Sequence, residues 1–331
     1  MKAPLVLRRV LSVAALMPAL WLYPHTAHAQ AGAAKPVRLI VPFAGGGGTP
    51  DSVARILAQA LSTQTGHSHV VDNRPGANGL IGAELLARSP PDGNTLMVVS
   101  TSFVINPSIY LKLPFNMATD FAPVTNLCAV DGLFLTVNPT VPAQTLQDFI
   151  AWLKQPGTRA SYGTPGIGNS LHLATEMFNN RAGTTMVHIP YKGSGPAMAA
   201  VIAGEIQTMF ITPPQAIQGV KARQIRALAY TGKTRAPYMP EVPTMVEAGL
   251  ANMVLDGGWF ALFAPGGTPA PLVASIHQDV RKALETPMVR ERFEAMGVSP
   301  VGNPPAEFAK FIESEIATYA QLVKLAGIKP E

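Results

Sequence analysis

The sequence predicts an α/β protein whose two lobes face each other across a cleft. Apolar runs rich in β-branched residues alternate with amphipathic helical segments along most of its 331 residues, as is typical of strands joined through helices. A short strand, a glycine-rich loop and a capped helix follow one another at residues 37–61, and the same succession returns at residues 159–178. Each half of the chain is therefore expected to present one glycine-rich loop to the cleft.

The first 29 residues have the features of a secretory signal peptide. Lys2, Arg8 and Arg9 form a basic region, residues 10–23 are mostly apolar, and residues 27–29 place small side chains at a cleavage site. The apolar stretch is shorter than the roughly 20 residues that a membrane-spanning helix needs. We therefore predict that residues 1–29 are a signal peptide and that the mature protein is exported and soluble.

The charge balance predicts no nucleic-acid or membrane partner. The chain has 25 Lys and Arg against 20 Asp and Glu; three of the basic residues lie in the signal, which leaves 22 against 20, or about +2. Cys128 is the only cysteine, so no intramolecular disulfide can form. A mature chain of about 300 residues buries enough apolar surface without one, and we interpret Cys128 as a small buried hydrophobe.

The first glycine loop is the strongest candidate for a binding site. The strand at residues 37–43 runs into four glycines, residues 45–48, and Thr49 is placed to cap the next helix with Pro50 at its first position. Bare backbone N–H groups at a helix N-terminus attract anions. We therefore predict that this loop holds a carboxylate. Asp51, in the first turn, would complement the helix dipole rather than contact the ligand.

Hydroxyl side chains mark a further point on the cleft. Ser100, Thr101 and Ser102 follow a predicted strand, at the edge where open α/β sheets bind ligands. The elements predicted between the two glycine loops are strands at residues 69–71, 95–99, 130–137 and 159–162, and helices at residues 80–88 and 145–154.

The second glycine loop, residues 163–170, precedes a helix for which Asn169 or Ser170 is the predicted cap. If the terminal helices return to the first lobe, two strands must cross between the lobes, near residues 130–137 and 258–264, and form a hinge. The elements predicted after this loop are strands at residues 186–190, 206–211, 225–230 and 258–265, and helices ending at residue 203, around residue 246, and at residues 271–285, 288–296 and 304–325.

Six short motifs in this order resemble the substrate-binding receptors of tripartite tricarboxylate transporters, the Bug family. They are Val-Pro-Phe-Ala-Gly-Gly at residues 41–46 with Asp51, Asn-Arg-Pro-Gly-Ala at 73–77, Pro-Asp-Gly at 91–93, Tyr-Gly at 162–163 with Gly166 and Gly168, Pro-Tyr-Lys-Gly at 190–193, and Leu-Phe-Ala-Pro at 262–265.

The resemblance implies a periplasmic receptor with the type II periplasmic-binding-protein fold: two lobes of mixed sheets flanked by helices, with a ligand cleft between them. The lobes would be residues 30–133 plus 256–331, and residues 134–255. Such a receptor is a monomer, captures a small organic carboxylate, and delivers it to a membrane permease of one large and one small subunit. It needs no cofactor, no metal and no catalytic residue.

The two glycine loops, carried over from the family, and the strand ends inferred from the residues themselves supply the predicted ligand-binding residues. They are Phe43, Ala44, Gly45, Gly46, Gly47, Gly48, Thr49, Thr101, Ser102, Gly163, Thr164, Pro165, Gly166, Gly168, Asn169, Ser170 and Thr212. In one departure from the family pattern, relatives often have Asp after the Met-Phe pair, where this chain has Ile211. The change argues against a ligand with an ammonium group and favours an uncharged or aromatic body with one or two carboxylates.

Two other functions stay open from the sequence. An exported hydrolase on the same scaffold could use Ser170 or Ser194 with His172 or His188, although no G-x-S-x-G elbow is present. A solute receptor could instead signal to a membrane sensor kinase. Among the aromatic residues, we interpret Phe43 as a pocket wall, and Trp259 and Phe260 mainly as core or hinge packing.

Overall fold

Two mixed sheets carry the described part of the chain, residues 35–46 and 48–330 of a computed structural model. The predicted signal peptide, residues 1–29, and the predicted loop residue Gly47 lie outside these residues. Each sheet is covered by helices, so the predicted α/β class and its two lobes are confirmed. The lobe boundaries proposed from the sequence stay a prediction.

The elements up to the first passage between the sheets are β1 (Val37–Val41), α1 (Thr49–Thr65), β2 (His69–Asn73), a 3₁₀ turn (Ala77–Gly79), α2 (Leu80–Ala87), β3 (Thr95–Ser100), α3 (Ser102–Ile109) and β4 (Phe121–Val130). The second lobe contains β5 (Phe134–Val137), α4 (Leu146–Leu153), β6 (Ser161–Thr164), α5 (Ser170–Ala182), β7 (Val187–Pro190), α6 (Ser194–Ala203), β8 (Thr208–Ile211), α7 (Pro213–Lys221) and β9 (Arg226–Tyr230). The chain then returns through β10 (Gly258–Pro265), α8 (Ala270–Glu285), α9 (Pro287–Ala295), β11 (Ser299–Pro300) and α10 (Pro305–Leu325).

The first sheet has the strand order β11-β4-β10-β3-β1-β2 and the second the order β7-β6-β8-β5-β9. In the first, β1 runs parallel to β2 and β3; in the second, β6 runs parallel to β7 and β8. Carboxyl ends of parallel strands meet at one edge of a sheet, so the glycine loops after β1 and β6 lie at such edges.

The crossing prediction for residues 258–264 was wrong. The whole of β10 lies inside the first sheet, antiparallel to both β3 and β4. The chain passes between the sheets on the short segments before β5 and before β10. These run side by side, because the Gly257 N–H donates to the Val130 carbonyl at 2.7 Å and the Thr231 N–H donates to the Leu133 carbonyl at 2.9 Å. The passage between the sheets is therefore irregular backbone rather than paired strand.

Some helices also differ from the prediction. Neither α3 nor α7 was expected, because α3 contains Pro107 and follows a cluster of hydroxyl residues, and α7 begins at a Pro-Pro pair. The Pro-Pro pair of α7 lies in the first turn of that helix, where the missing N–H of a proline has no intrahelical partner. The helix expected around residue 246 is a set of turns that Gly249, with φ of +89°, ends. Strand β4 was not predicted, and the strand expected at residues 130–137 is reduced to β5, because the chain passes between the sheets at residues 131–133.

The centre of the first lobe is β10, all of whose residues are buried. Alternate side chains of a strand point to opposite faces of the sheet. Leu262 packs with the residues of α1, α8 and α9, whereas Phe263 lies 5.3 Å, between ring centroids, from Phe308 of α10. Cys128, on neighbouring β4, is fully buried in the same hydrophobic cluster as Leu262, as expected for a small hydrophobe.

Replacing Leu262 with Ala should lower the free energy of unfolding by about 2–5 kcal/mol, because it leaves a cavity in a fully buried layer. Urea unfolding followed by circular dichroism measures the change. Leu111→Ala is the control, since the Leu111 side chain is 82% exposed and its loss should cost within about 0.5 kcal/mol. Equal losses in the two variants would contradict the central place of β10.

Candidate functional site

A small cavity of about 30 Å³ lies between the two lobes. It brings together residues from both glycine loops, from the end of β3 and from the end of β8. The predicted ligand-binding residues that line it are Phe43, Gly48, Thr49, Thr101, Pro165, Asn169, Ser170 and Thr212.

Five helices begin at this cavity. Gly48, Thr101, Asn169 and Thr212 are the N-cap residues of α1, α3, α5 and α7, and Ser194 is the first residue of α6. The first N–H groups of a helix have no intrahelical partner, and its N-terminus carries about half a positive charge. Of the described residues that line the cavity, none has a charged side chain. The arrangement can therefore hold an anion through backbone N–H groups and hydroxyls.

The hydroxyl of Thr49 joins the lobes instead of capping its helix. Gly48 is the N-cap of α1, so the predicted cap at Thr49 was wrong. The Thr49 and Thr212 hydroxyl oxygens lie 2.6 Å apart across the cleft, and both residues are buried. A second contact between the lobes is the 3.1 Å hydrogen bond from the Ala44 N–H to the Lys192 carbonyl.

An ionised carboxylate beneath the first loop determines the loop's shape. Asp51 accepts hydrogen bonds from the Gly46 N–H at 3.1 Å, from Asn73 Nδ2 at 2.9 Å and from Arg55 Nε at 3.0 Å. Burial alone would raise the pKa of Asp51, but these hydrogen bonds outweigh it and hold the pKa below its ordinary value. The predicted supporting role of Asp51 is confirmed. Ala44, Gly45 and Gly46 lie in this loop without lining the cavity.

The second loop approaches the first lobe closely. Gly168 has φ of +71°, and a Cβ atom there would lie 2.5 Å from Cγ1 of Ile109. Asn169 caps α5 by accepting from the Leu171 N–H at 3.0 Å, as predicted, and donates to Asn78 Oδ1 of the first lobe at 3.5 Å. Only glycine fits the space at Gly168 without displacing its neighbour.

Two stacked histidines support the second loop from below. The rings of His172 and His188 are 3.9 Å apart and nearly parallel. His172 Nδ1 accepts from the Gly168 N–H at 3.0 Å, which places its ring proton on Nε2. The Thr164 hydroxyl donates to the Gly166 carbonyl at 3.0 Å and accepts from His188 Nε2 at 2.6 Å.

Both imidazoles are neutral near pH 7. Burial lowers the pKa of His172 to about 3, and the nearby ring of His188 acts in the same direction. Burial likewise lowers the pKa of His188 to about 4. A proton on His172 Nδ1 would remove its acceptor for the loop. The hydrogen bonds of both rings go to the loop, so within the described residues they do not activate Ser170 or Ser194.

The remaining predicted residues lie close to the cavity but do not line it. Gly163, Thr164, Gly166 and Gly168 form the end of β6 and the loop above the histidine pair. The buried Ser102 hydroxyl lies 2.7 Å from that of Ser100. Two residues discussed from the sequence also stand apart from it: Lys192 is exposed, and Ile211 is fully buried in the core of the second lobe.

Several residues line the cavity that the sequence did not assign to it. Trp259 and Phe260 are both 4% exposed and serve as cavity wall as well as core. Nothing local distinguishes a wall from a core residue on a buried strand. For Ser194, its place at a helix start after a glycine was the available signal. The full set of additional lining residues is Pro50, Ser100, Leu171, Ser194, Gly257, Trp259 and Phe260.

Two α/β lobes with helix N-termini around a cavity between them define the periplasmic binding proteins, and solved members of that class share this fold. The chain belongs to the tripartite tricarboxylate transporter family of receptors, because the model of the "Tripartite tricarboxylate transporter family receptor" matches residues 53–328. The resemblance drawn from the sequence motifs is thereby confirmed.

Similar proteins include Bug-family members and ligand complexes. BugT of Bordetella pertussis is 35% identical over 298 residues, which cover 89% of this chain and 90% of that protein. The structure of R. palustris Rpa4515 with adipate is 33% identical, with a TM-score of 0.85, over 89% of this chain and 98% of that one. MatC from Rhodopseudomonas palustris with bound malate is 28% identical, with a TM-score of 0.80, over 87% and 98%.

Within residues 35–46 and 48–330, no helix has both the length and the apolar character needed to cross a membrane.

Stability should fall as the pH drops from 6.5 to 5, by roughly 1 kcal/mol per pH unit for each buried histidine. The unfolded chain takes up protons below the ordinary pKa of 6.5, whereas the folded chain keeps both rings neutral until about pH 4. Urea unfolding at several pH values measures the slope.

The control is the double variant His172→Gln with His188→Gln, in which most of the slope should disappear. His69, whose pKa burial also lowers, remains in that variant and accounts for a residual dependence. An unchanged slope would contradict the assignment of neutral buried rings.

Proposed function

We propose that this chain is an exported periplasmic receptor that binds a small organic carboxylate between its lobes and delivers it to a tripartite tricarboxylate-type permease. The observation that supports this most is the convergence of five helix N-termini on a cavity whose described lining has no charged side chain. Donors of this kind stabilise a carboxylate without an Arg or Lys partner. Relatives that bind adipate and malate favour the same ligand class.

The predicted ligand-binding residues keep their roles in this proposal, in two groups. Those that line the cavity contact the ligand, and the other loop residues hold the backbone in place around it. The lobes are residues 30–133 plus 256–331, and residues 134–255, and the monomer binds one ligand. Export depends on the signal peptide at residues 1–29.

Ligand capture would proceed by closure of the lobes. The Thr49–Thr212, Ala44–Lys192 and Asn169–Asn78 hydrogen bonds join groups on different lobes, so they exist only when the cleft is shut. A ligand that contacts both glycine loops binds the shut form better and shifts the equilibrium towards it. The shut form presents a surface that a permease can distinguish from the open one. The receptor leaves its ligand chemically unchanged.

A thermal-shift panel of aliphatic, hydroxy-, aromatic and amino acids tests the proposal. One or more simple carboxylic acids should raise the melting temperature, while the matching amides should not, because an amide carries no charge for the helix N-termini. The acid recovered after long incubation should be unchanged by mass spectrometry. Turnover of the acid, or stabilisation by glutamate and aspartate alone, would contradict the proposed ligand class and role.

Gly168→Ala should weaken binding of the responding acid by about tenfold, because overpacking against Ile109 costs about 1–3 kcal/mol when the lobes shut. Isothermal titration calorimetry measures the affinity. Gly66→Ala is a matched control, since Gly66 also has φ of +71° but has no atom within 4 Å of an added Cβ. Both variants lose some stability to backbone strain, but Gly66→Ala should bind normally. Equal affinities in the two would contradict closure at this loop.

A further inference from the structure

A second and larger cavity lies beside the first. Its volume is about 530 Å³, and it is bounded by α5 of the second lobe, α10 of the first lobe and the segments that join them. Ser170 and Trp259 line both cavities. The first cavity, at about 30 Å³, has room for little more than one small polar group. The rest of a ligand whose carboxylate lies there must extend elsewhere.

The two residues that line both cavities differ: hydrogen bonds hold Trp259 in place, whereas Ser170 is small. The Trp259 indole N–H donates to Glu315 Oε2 of α10 at 2.7 Å, and the Trp259 backbone N–H donates to the Thr101 hydroxyl at 2.9 Å. These bonds hold the large ring in place. Ser170, the other shared residue, has a small side chain and so fills less of the space between the cavities than the indole does.

The lining of the second cavity combines apolar side chains with acidic ones. Its apolar lining includes Leu173, Met177, Phe311 and Leu322, and its charged lining residues are Asp131, Asp256 and Glu315. No Lys or Arg belongs to the described residues that line it. An apolar chain gains free energy by leaving water for such a surface. A second carboxylate would lose its hydration and meet like charges.

The pKa of a side chain in the second cavity also indicates that a negative charge is unfavourable there. Burial raises the pKa of Glu315, and the charge of Asp256 acts in the same direction, so an anionic form is disfavoured there.

We propose that the ligand is a monocarboxylic acid whose carboxylate occupies the first cavity and whose uncharged, mainly apolar tail passes over Ser170 into the second. This inference rests on the proposed function and narrows its ligand class. It separates this chain from a relative such as Rpa4515, whose structure holds the diacid adipate. The acidic residues that line the second cavity, Asp131, Asp256 and Glu315, repel a second carboxylate.

Three six-carbon acids of equal length test the proposal: hexanoate, 6-hydroxyhexanoate and adipate, titrated calorimetrically into the full mature chain at pH 7. The two monoacids should bind at least about tenfold more tightly than adipate, because a terminal carboxylate faces three acidic side chains across an apolar surface.

Thr318→Lys adds a cation to the second cavity at an exposed lining position of α10, where a folding defect is not expected. It should improve adipate binding relative to hexanoate by several-fold. Ala317→Lys makes the same charge change on the same helix at an exposed residue outside the cavity, and should leave the ratio unaltered.

The possible failures are distinguishable. Adipate binding as tightly as either monoacid, a response to short acids but to none of the six-carbon acids, or equal effects of the two lysine variants would each overturn this inference while the carboxylate receptor stands. Binding of no acid at all in the six-carbon series or in the wider panel would overturn the receptor proposal, and this inference with it.

Discussion

The proposed ligand imposes one electrostatic constraint on the rest of the structure: a carboxylate has to be stabilised in a cavity whose described lining residues carry no charge. Partial charges at helix N-termini meet this constraint only if several helices start at the same place. Parallel strands followed by helices bring such starts to one edge of each sheet, and two sheets facing each other double the number. The two-lobe architecture, with glycine loops after β1 and β6, therefore brings these helix starts together around one cavity.

The two loops are held by acceptors of different charge: a carboxylate under the first and a neutral imidazole under the second. Below the first, ionised Asp51 accepts from the backbone and from two neighbouring side chains. Below the second, His172 must be neutral, because its unprotonated Nδ1 accepts from the Gly168 N–H. A carboxylate keeps its charge in a site rich in donors, whereas an imidazole loses its charge in a buried stack. Each loop therefore has a support whose state is set by its own surroundings.

Helix α10 contacts residues that line the first cavity. Glu315 anchors the indole of Trp259, and the Tyr319 hydroxyl hydrogen-bonds to Thr101, a residue of the cavity. The same helix forms one side of the second cavity. The sequence pattern of α10 predicts only an amphipathic helix packed on the core. In the structure the same helix also shapes the second cavity.

The sequence by itself determined the α/β class, the two glycine loops and the family, and narrowed the cap of α5 to Asn169 or Ser170, because hydrophobic period, helix caps and glycine runs are local signals. It missed α3 and α7, misplaced the crossing at β10, and could not separate Trp259 as cavity wall from Trp259 as core. Only the tertiary structure decided these points, since strand order and lobe packing bring together residues far apart in the chain, such as Thr49 with Thr212 and Trp259 with Glu315. No local pattern records a contact between residues so distant in sequence.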